Sequence, residues 1–234
     1  ILPFEKEFYG RFNYPVDFAG HPLLDVINED MKVKTRQEFL LLNELPDCRI
    51  IALLPGSRKM EIEKMLRIML SIRSSFPEYQ FVIAAAPAIP EAFYTGILRG
   101  TEIRLVMNQT YDLLNNASAA LVTSGTATLE TALMNVPQIV CYKGNSLSYL
   151  IARRLVHVKY ISLVNLIFGK MVVPELIQSE LNHKNMVEEL SAILEDGPGR
   201  QSMINGYRDL KQLLGGRGAS ARAASLMIQY SKQK

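Results

Sequence analysis

Arg49-Ile50-Ile51-Ala52-Leu53-Leu54, running straight into Pro55-Gly56-Ser57-Arg58, is the stretch on which the fold turns. A nearly unbroken run of β-branched and apolar residues suits a strand covered on both faces, whereas a sheet with one wet face would show alternation. Beyond the turn, Ile62, Met65, Leu66, Met69 and Ile72 are apolar at helical spacing. Strand, tight turn and helix in that order open a βαβ unit, and the pattern recurs outward from here. Downstream it predicts strands over 80–85, 103–107, 119–123, 138–142 and 160–163. Helices are expected between them over 90–98, 111–116, 127–134 and 146–155. Upstream lie a helix over 34–42 and a weak strand over 16–19, ended by Gly20-His21-Pro22. Strands alternating with helices of this length imply an α/β fold, a doubly wound Rossmann-like parallel sheet. From Pro174 the pattern turns wholly helical, over 175–181, 184–194, 200–214 and 219–230, with breaks at Gly197-Pro198-Gly199 and Gly215-Gly216.

Composition narrows the function. The 234 residues are 48% hydrophobic and 21% charged, which excludes a disordered or fibrous chain. The formal charge of +3 is too small to argue for nucleic acid, although it tolerates an anionic ligand or surface. Cys48 and Cys141 make no disulfide framework, and with His21, His157 and His183 they show no zinc-ligand spacing. The longest charge-free run, 113–129, carries Asn115, Asn116, Ser118, Thr123, Ser124 and Thr126, so it does not read as a membrane-spanning helix. Glu5, Lys6 and Glu7 stand where a signal peptide would be apolar.

Ligands of open α/β sheets bind outside the carboxyl ends of the strands. Two strand-to-helix turns there suit an anion. In Pro55-Gly56-Ser57-Arg58, glycine lets backbone approach a ligand and Arg58 offers a planar cation for phosphate; an ordinary turn with a surface arginine explains the segment equally well. In Ser124-Gly125-Thr126-Ala127-Thr128-Leu129-Glu130, two hydroxyls flank a glycine at a helix start. Helix capping accounts for Ser124 or Thr126 but not for Glu130, which lies beyond the capping-box position and is either a hydroxyl-binding carboxylate or a solvated one. Asn165 follows a strand pattern, where an amide closes a turn or holds a ligand, and Glu175 after Pro174 reads as a helix start. Gly216-Arg217-Gly218-Ala219-Ser220-Ala221 fits a relaxed dinucleotide fingerprint, but no strand precedes it, so it is a helix break. His21 reads as a turn residue.

Gly20-His21-Pro22, Leu54–Arg58 with Glu61, Ser124–Glu130, Tyr160–Asn165 and Pro174–Gln178 occur in one order. Together they resemble the carboxyl-terminal half of the lipid-A-disaccharide synthases, most strongly over 1–180. Val164 departs from the pattern, which often has proline before the asparagine. The resemblance implies a GT-B glycosyltransferase, two Rossmann-like domains across a cleft, with this chain as the carboxyl-terminal, donor-binding type. On that basis 1–20 is a linker from a missing amino-terminal domain, 21–180 the UDP-sugar-binding domain, and 181–234 a helical segment packing on this or a partner domain. The chain opens on Ile1 rather than Met, in keeping with an upstream portion.

The implied reaction transfers 2,3-diacylglucosamine from UDP-2,3-diacylglucosamine to 2,3-diacylglucosamine 1-phosphate, releasing UDP. Gly56, Ser57, Arg58, Ser124, Gly125 and Thr126 would bind the diphosphate, Glu130 the ribose, and Asn165 and Glu175 would lie near the donor sugar or phosphate. The transfer inverts configuration and uses no metal or other cofactor, in line with the lack of an Asp-x-Asp pair. Its general base is expected in the amino-terminal domain, so the chain alone binds donor and turns over slowly or not at all. Acylated substrates imply a cytoplasmic enzyme, peripheral on the inner face of the inner membrane. Leu147, Leu150 and Ile151 with Arg153 and Arg154, and Arg217, Arg222, Lys232 and Lys234, are candidates to meet anionic lipid, and a homodimer is compatible. Another UDP-sugar enzyme of the same architecture (an N-acetylglucosaminyltransferase or a 2-epimerase) and a non-catalytic nucleotide-binding module are the alternatives.

Overall fold

The computed structural model describes residues 1–144 and 159–232. The expected helix over 146–155, with its Leu147, Leu150, Ile151, Arg153 and Arg154, lies outside them, as do His157 and Lys234. The chain forms two compact units, one of residues 33–204 and one of 1–32 with 205–234. The expected boundary at 180 therefore falls inside the larger unit.

The larger unit is built on a six-stranded sheet: β1 (Arg49–Leu54), β2 (Tyr79–Ala85), β3 (Arg104–Met107), β4 (Ala117–Thr123), β5 (Gln138–Tyr142) and β6 (Glu175–Ile177). The spatial order is β3-β2-β1-β4-β5-β6 and every neighbouring pair is parallel. Helices α3 (Arg36–Leu42), α4 (Lys59–Leu70), α5 (Glu91–Ile97), α6 (Thr110–Asn116), α7 (Ala127–Leu133), α8 (Leu163–Phe168) and α9 (His183–Leu194) connect or follow the strands.

Both faces of the sheet are covered, as the apolar run in β1 requires. Ile50, Ala52 and Leu54 of β1 join Val82, Ala84, Val106, Ala120 and Val122 in one buried cluster with Phe39 and Leu40 of α3 and Leu113 and Leu114 of α6. The alternate residues Ile51, Leu53, Ile83 and Leu121 are fully buried too, and by the two-residue period of a strand they face the other way. Helix α9 packs against β4 and β5 and buries Met186, Leu190 and Ile193.

Three expected elements differ. No strand forms over 16–19. The segment 160–163 is not a strand: Ser162 takes an N-cap conformation, its side chain accepts the Asn165 N–H, and the chain turns directly into α8. The segment expected as a helix from 175 is instead β6, an edge strand paired only with β5. Pro174 is compatible with that edge because its carbonyl accepts from Val140 N–H at 2.9 Å, and no ladder donor is demanded of it.

The smaller unit contains α1 (Pro3–Gly10), α2 (Leu23–Val26), α11 (Ala219–Ser231) and the end of α10 (Pro198–Leu213). Gly20-His21-Pro22 is a tight turn within it. Gly20 has φ +92°, and a Cβ there would lie 2.6 Å from Arg222 Nη2. His21 is buried; its N–H donates to the Leu214 carbonyl and its Nδ1 accepts from Leu23 N–H, so it serves as a turn residue. Burial pushes its imidazole pKa down. The Gly215–Gly218 stretch is the expected helix break, with Gly215, Gly216 and Gly218 all at positive φ. Arg222 donates to the carbonyls of Ala19, Gly215, Gly216 and Arg217, and Arg217 pairs with Asp30 at 2.6 Å. These two exposed guanidinium groups are thus engaged inside their own unit.

Candidate functional site

In the order 3-2-1-4-5-6 the chain winds outward in one direction from β1 and in the other from β4. The crevice between their carboxyl ends is where doubly wound sheets take ligands. A cavity of about 310 Å³ opens there. Gly56, Ser57 and Glu61 form one wall, Ser124, Gly125, Thr126 and Glu130 the other, and Ala84–Pro87 at the carboxyl end of β2 close it beside Thr110 and Thr123. The two turns singled out in the sequence thus meet in one site.

Gly56 stands at φ +113°, a conformation open to glycine and strained for other residues. Its neighbour Ser57 donates its N–H to Glu61 Oε2 at 3.1 Å, so the first turn of α4 carries its own carboxylate. Arg58 is exposed and does not line the cavity; it provides the extended N-cap residue of α4.

On the opposite wall, helix capping does not account for the hydroxyls. Ser124 Oγ donates to the Ile161 carbonyl at 2.8 Å, and Thr126, already helical at φ −58° and ψ −30°, makes no side-chain cap bond. Glu130, half-buried one turn into α7, accepts from the Tyr111 hydroxyl at 2.8 Å. Burial, then the charge of Glu130, push the Tyr111 phenol pKa well above its ordinary value, so it stays a neutral donor.

Asn165 and Glu175 come together, but away from the cavity wall. Asn165 is fully buried. Its Nδ2 donates to the Val173 carbonyl and to Glu175 Oε1, each at 2.8 Å, while its Oδ1 accepts from Val172 and Val173 N–H at 2.7 and 3.0 Å. Every hydrogen-bonding position of that amide is met within the chain, and neither Asn165 nor Glu175 lines the cavity. The Glu175 carboxylate accepts from Ile161 N–H at 2.9 Å, from Ser162 N–H at 3.0 Å and from Ser162 Oγ at 2.7 Å, besides the Asn165 amide. The pair therefore fixes Ile161, whose carbonyl in turn receives the Ser124 hydroxyl.

Two groups at the site have no local signal in the sequence. Tyr111 is brought to Glu130 by the crossing of α6 and α7, 19 residues apart. Thr123, the last residue of β4, is 3% exposed and its Oγ1 has no hydrogen-bond partner. An unpaired buried hydroxyl at a cavity is a marked exception among native polar groups.

A family model described as lipid-A-disaccharide synthetase matches residues 1–228. The chain belongs to this family. Its relative named lipid-A-disaccharide synthase in Syntrophus aciditrophicus (strain SB) is 40% identical over 241 residues, covering 100% of this chain and 62% of the relative. The chain spans about three-fifths of the length of the curated relatives it matches, 62%, 61% and 60% for three of them. Among solved structures, a putative UDP-N-acetylglucosamine 2-epimerase from Listeria monocytogenes superposes with a TM-score of 0.55 at 17% identity, covering 98% of this chain and 58% of that one. WaaG, a glycosyltransferase involved in lipopolysaccharide biosynthesis, superposes with a TM-score of 0.51 at 13% identity, covering 86% and 53%. At such identities these two speak for the fold alone, the Rossmann-like GT-B type. Membership in the synthetase family, not the fold, separates this chain from the epimerase.

Proposed function

We propose that this chain is the nucleotide-sugar-binding part of a lipid-A-disaccharide synthase, and that the crevice between the β1–α4 and β4–α7 turns takes the UDP portion of UDP-2,3-diacylglucosamine. The observation that carries this reading is Glu130, a carboxylate on the cavity wall at the switch point, steadied by a neutral phenol at 2.8 Å. A carboxylate held in this way is suited to accept the two vicinal hydroxyls of a ribose. In this reading the diphosphate lies along Gly56-Ser57-Arg58 and Ser124-Gly125-Thr126. The glycines allow close approach, the Ser57 and Thr126 hydroxyls offer donors, Ser124 holds the turn through its bond to the Ile161 carbonyl, and Arg58 folds in from its exposed position. Asn165 and Glu175 act one step back, by fixing the Ile161 carbonyl that orients Ser124.

The reaction proposed is the one the family name describes, joining two acylated sugars into a disaccharide. The 6-hydroxyl of 2,3-diacylglucosamine 1-phosphate attacks the anomeric carbon, the bond to the β-phosphate oxygen of UDP breaks, and a β-1,6-linked disaccharide forms with inversion. Charge that grows on the departing β-phosphate is met by backbone N–H groups and Arg58, fixed before the reaction begins. No metal or cofactor enters this scheme, and the base for the acceptor hydroxyl is assigned to a part of the synthase outside this chain. The acylated substrates imply a peripheral enzyme at the cytoplasmic face of the inner membrane, with a homodimer as its expected assembly.

Calorimetry with UDP tests the site. The wild-type chain binds UDP, and Arg58→Ala and Glu130→Ala each weaken binding about tenfold or more, the loss of one charge-assisted contact. Absence of UDP binding to the wild type, or undiminished binding in both variants, refutes the assignment. Disaccharide formation by the chain alone at rates matching a full-length synthase refutes the donor-binding-part reading.

A further inference from the structure

Glu61 has no part in the reaction as described, yet it stands inside the nucleotide crevice. Its Oε2 accepts the Ser57 N–H at 3.1 Å. The side chain lies so close over Gly56 that a Cβ there would meet Glu61 Cδ at 2.6 Å and Cγ at 2.8 Å. An N–H at the start of a twelve-residue helix is a favoured place for a phosphate oxygen, and here a carboxylate of the same chain holds it. That the crevice receives a ligand is marked independently by the buried, unpartnered Thr123 hydroxyl on its wall. The described lining contains the carboxylates of Glu61 and Glu130 and no lysine or arginine.

We infer that Glu61 is a specificity-determining residue, an internal anion that competes with ligand phosphate for the Ser57 amide and so sets how much each phosphate charge adds to affinity. This rests on the UDP reading above. Two anions cannot share one N–H, so a diphosphate docking at Gly56-Ser57 must displace the Glu61 carboxylate or bind beside it against its charge. A capping role alone predicts something different. Gln keeps the length, the shape and an acceptor for Ser57 but carries no charge, so a mere cap would be preserved and the ranking of ligands left unchanged.

The test is calorimetry on the full chain with uridine, UMP and UDP, for the wild type and Glu61→Gln, each variant's fold being checked by thermal melting. Uridine is expected to bind both proteins equally. UMP should bind the variant a few-fold tighter and UDP about tenfold tighter, with the gain shrinking as salt is raised. Glu61→Ala, which removes charge and acceptor together, should also bind UDP more tightly and provides the reading if the Gln variant is unstable. Equal UDP affinity in wild type and variants overturns the inference, as does weaker UDP binding or a change for uridine as large as that for UDP. A wild-type chain that binds none of the three refutes the nucleotide reading itself, an outcome distinct from one in which UDP binds but Glu61 is indifferent to it.

Discussion

Replacing Asn165 by Leu removes the amide at the centre of the polar knot beside β6 while keeping nearly the same volume. Four hydrogen bonds are lost with it: those from Val172 and Val173 N–H, that to the Val173 carbonyl, and that to Glu175. Glu175 retains Ile161 N–H, Ser162 N–H and Ser162 Oγ, so its loss is the smallest. Val173 is fully buried, so its N–H and carbonyl would be left without their partner inside the fold. An unsatisfied buried group costs about 1–3 kcal/mol, and Val172, partly solvated, costs less, so the substitution should destabilise the fold by about 3–5 kcal/mol. Against a typical total stability of about 5–15 kcal/mol this is severe, and for a chain of this size it lowers the melting temperature by roughly 10 °C. Urea denaturation followed by far-ultraviolet circular dichroism measures it directly.

Asn165→Asp sharpens the test. The new carboxylate still accepts from Val172 and Val173 but faces Glu175 Oε1, now 2.8 Å from the amide nitrogen, without a proton to donate. Protonation restores a donor, so the folded state favours the protonated form, the pKa of the new group is raised, and stability is regained as pH falls through it. A loss below about 1 kcal/mol for Asn165→Leu, or an Asn165→Asp defect that is flat with pH, would show that the knot is not what holds this edge of the sheet.

Tyr111→Phe removes the donor to Glu130 and should cost about 1 kcal/mol of stability and weaken UDP binding a few-fold, read by melting and calorimetry; unchanged affinity would separate the phenol from the site. Gly56→Ala places a side chain at φ +113° against Glu61, so a destabilisation of about 1–3 kcal/mol with loss of UDP affinity is expected, and a stable variant that binds UDP normally contradicts the close-approach role of this glycine. In the smaller unit, hydrogen bonds from the Ser220 N–H and hydroxyl and from Gly218 N–H lower the Asp25 carboxyl pKa to about 2. A depressed carboxyl pKa contributes stability that is complete above the unfolded value and is lost as pH falls through the folded one. The protection of the Gly218 and Ser220 amides, measured relative to their intrinsic exchange, should therefore fall between about pH 4 and 2 in the wild type, and Asp25→Asn should abolish that change in protection; an identical protection profile in both proteins would exclude the carboxylate as its cause.

The central part of this fold was legible because local and global signals agree there. The apolar run of β1, the Pro55–Arg58 turn and the spacing of Ile62, Met65, Leu66 and Met69 each demand the element that forms. Where signals conflict, the nearer one misleads. Pro174-Glu175 has the composition of a helix start, but β5 offers an open edge, and parallel pairing of Leu176 with Cys141 decides the matter. The largely apolar 160–163 stretch would suit a strand until Ser162 caps the helix that starts there. At the site, the residues found were those whose chemistry is unusual for their place in the chain, such as Glu130 four positions after Thr126. Tyr111 and Thr123 were not, since a tyrosine at a helix start and a threonine ending a strand are ordinary until the fold brings one to a carboxylate and denies the other a partner. Asn165 allowed two readings, a turn or a ligand; in the fold it lies in α8 with four internal hydrogen bonds, a set of partners that no local pattern announces.

The pairing of β5 with β6 has a consequence for protein engineering. Val140, Cys141 and Tyr142 register directly on Glu175, Leu176 and Ile177, and Gln178 N–H adds a bond to the Tyr142 carbonyl. The polypeptide between these strands returns to the sheet at a point fixed separately, by the Glu175 carboxylate on the amides of Ile161 and Ser162. Among the described residues, register and re-entry are thus set by two separate groups of contacts. Engineering of this edge should therefore spare Glu175 and Ser162, because exchanging either would loosen the re-entry point even where the β5–β6 register is kept.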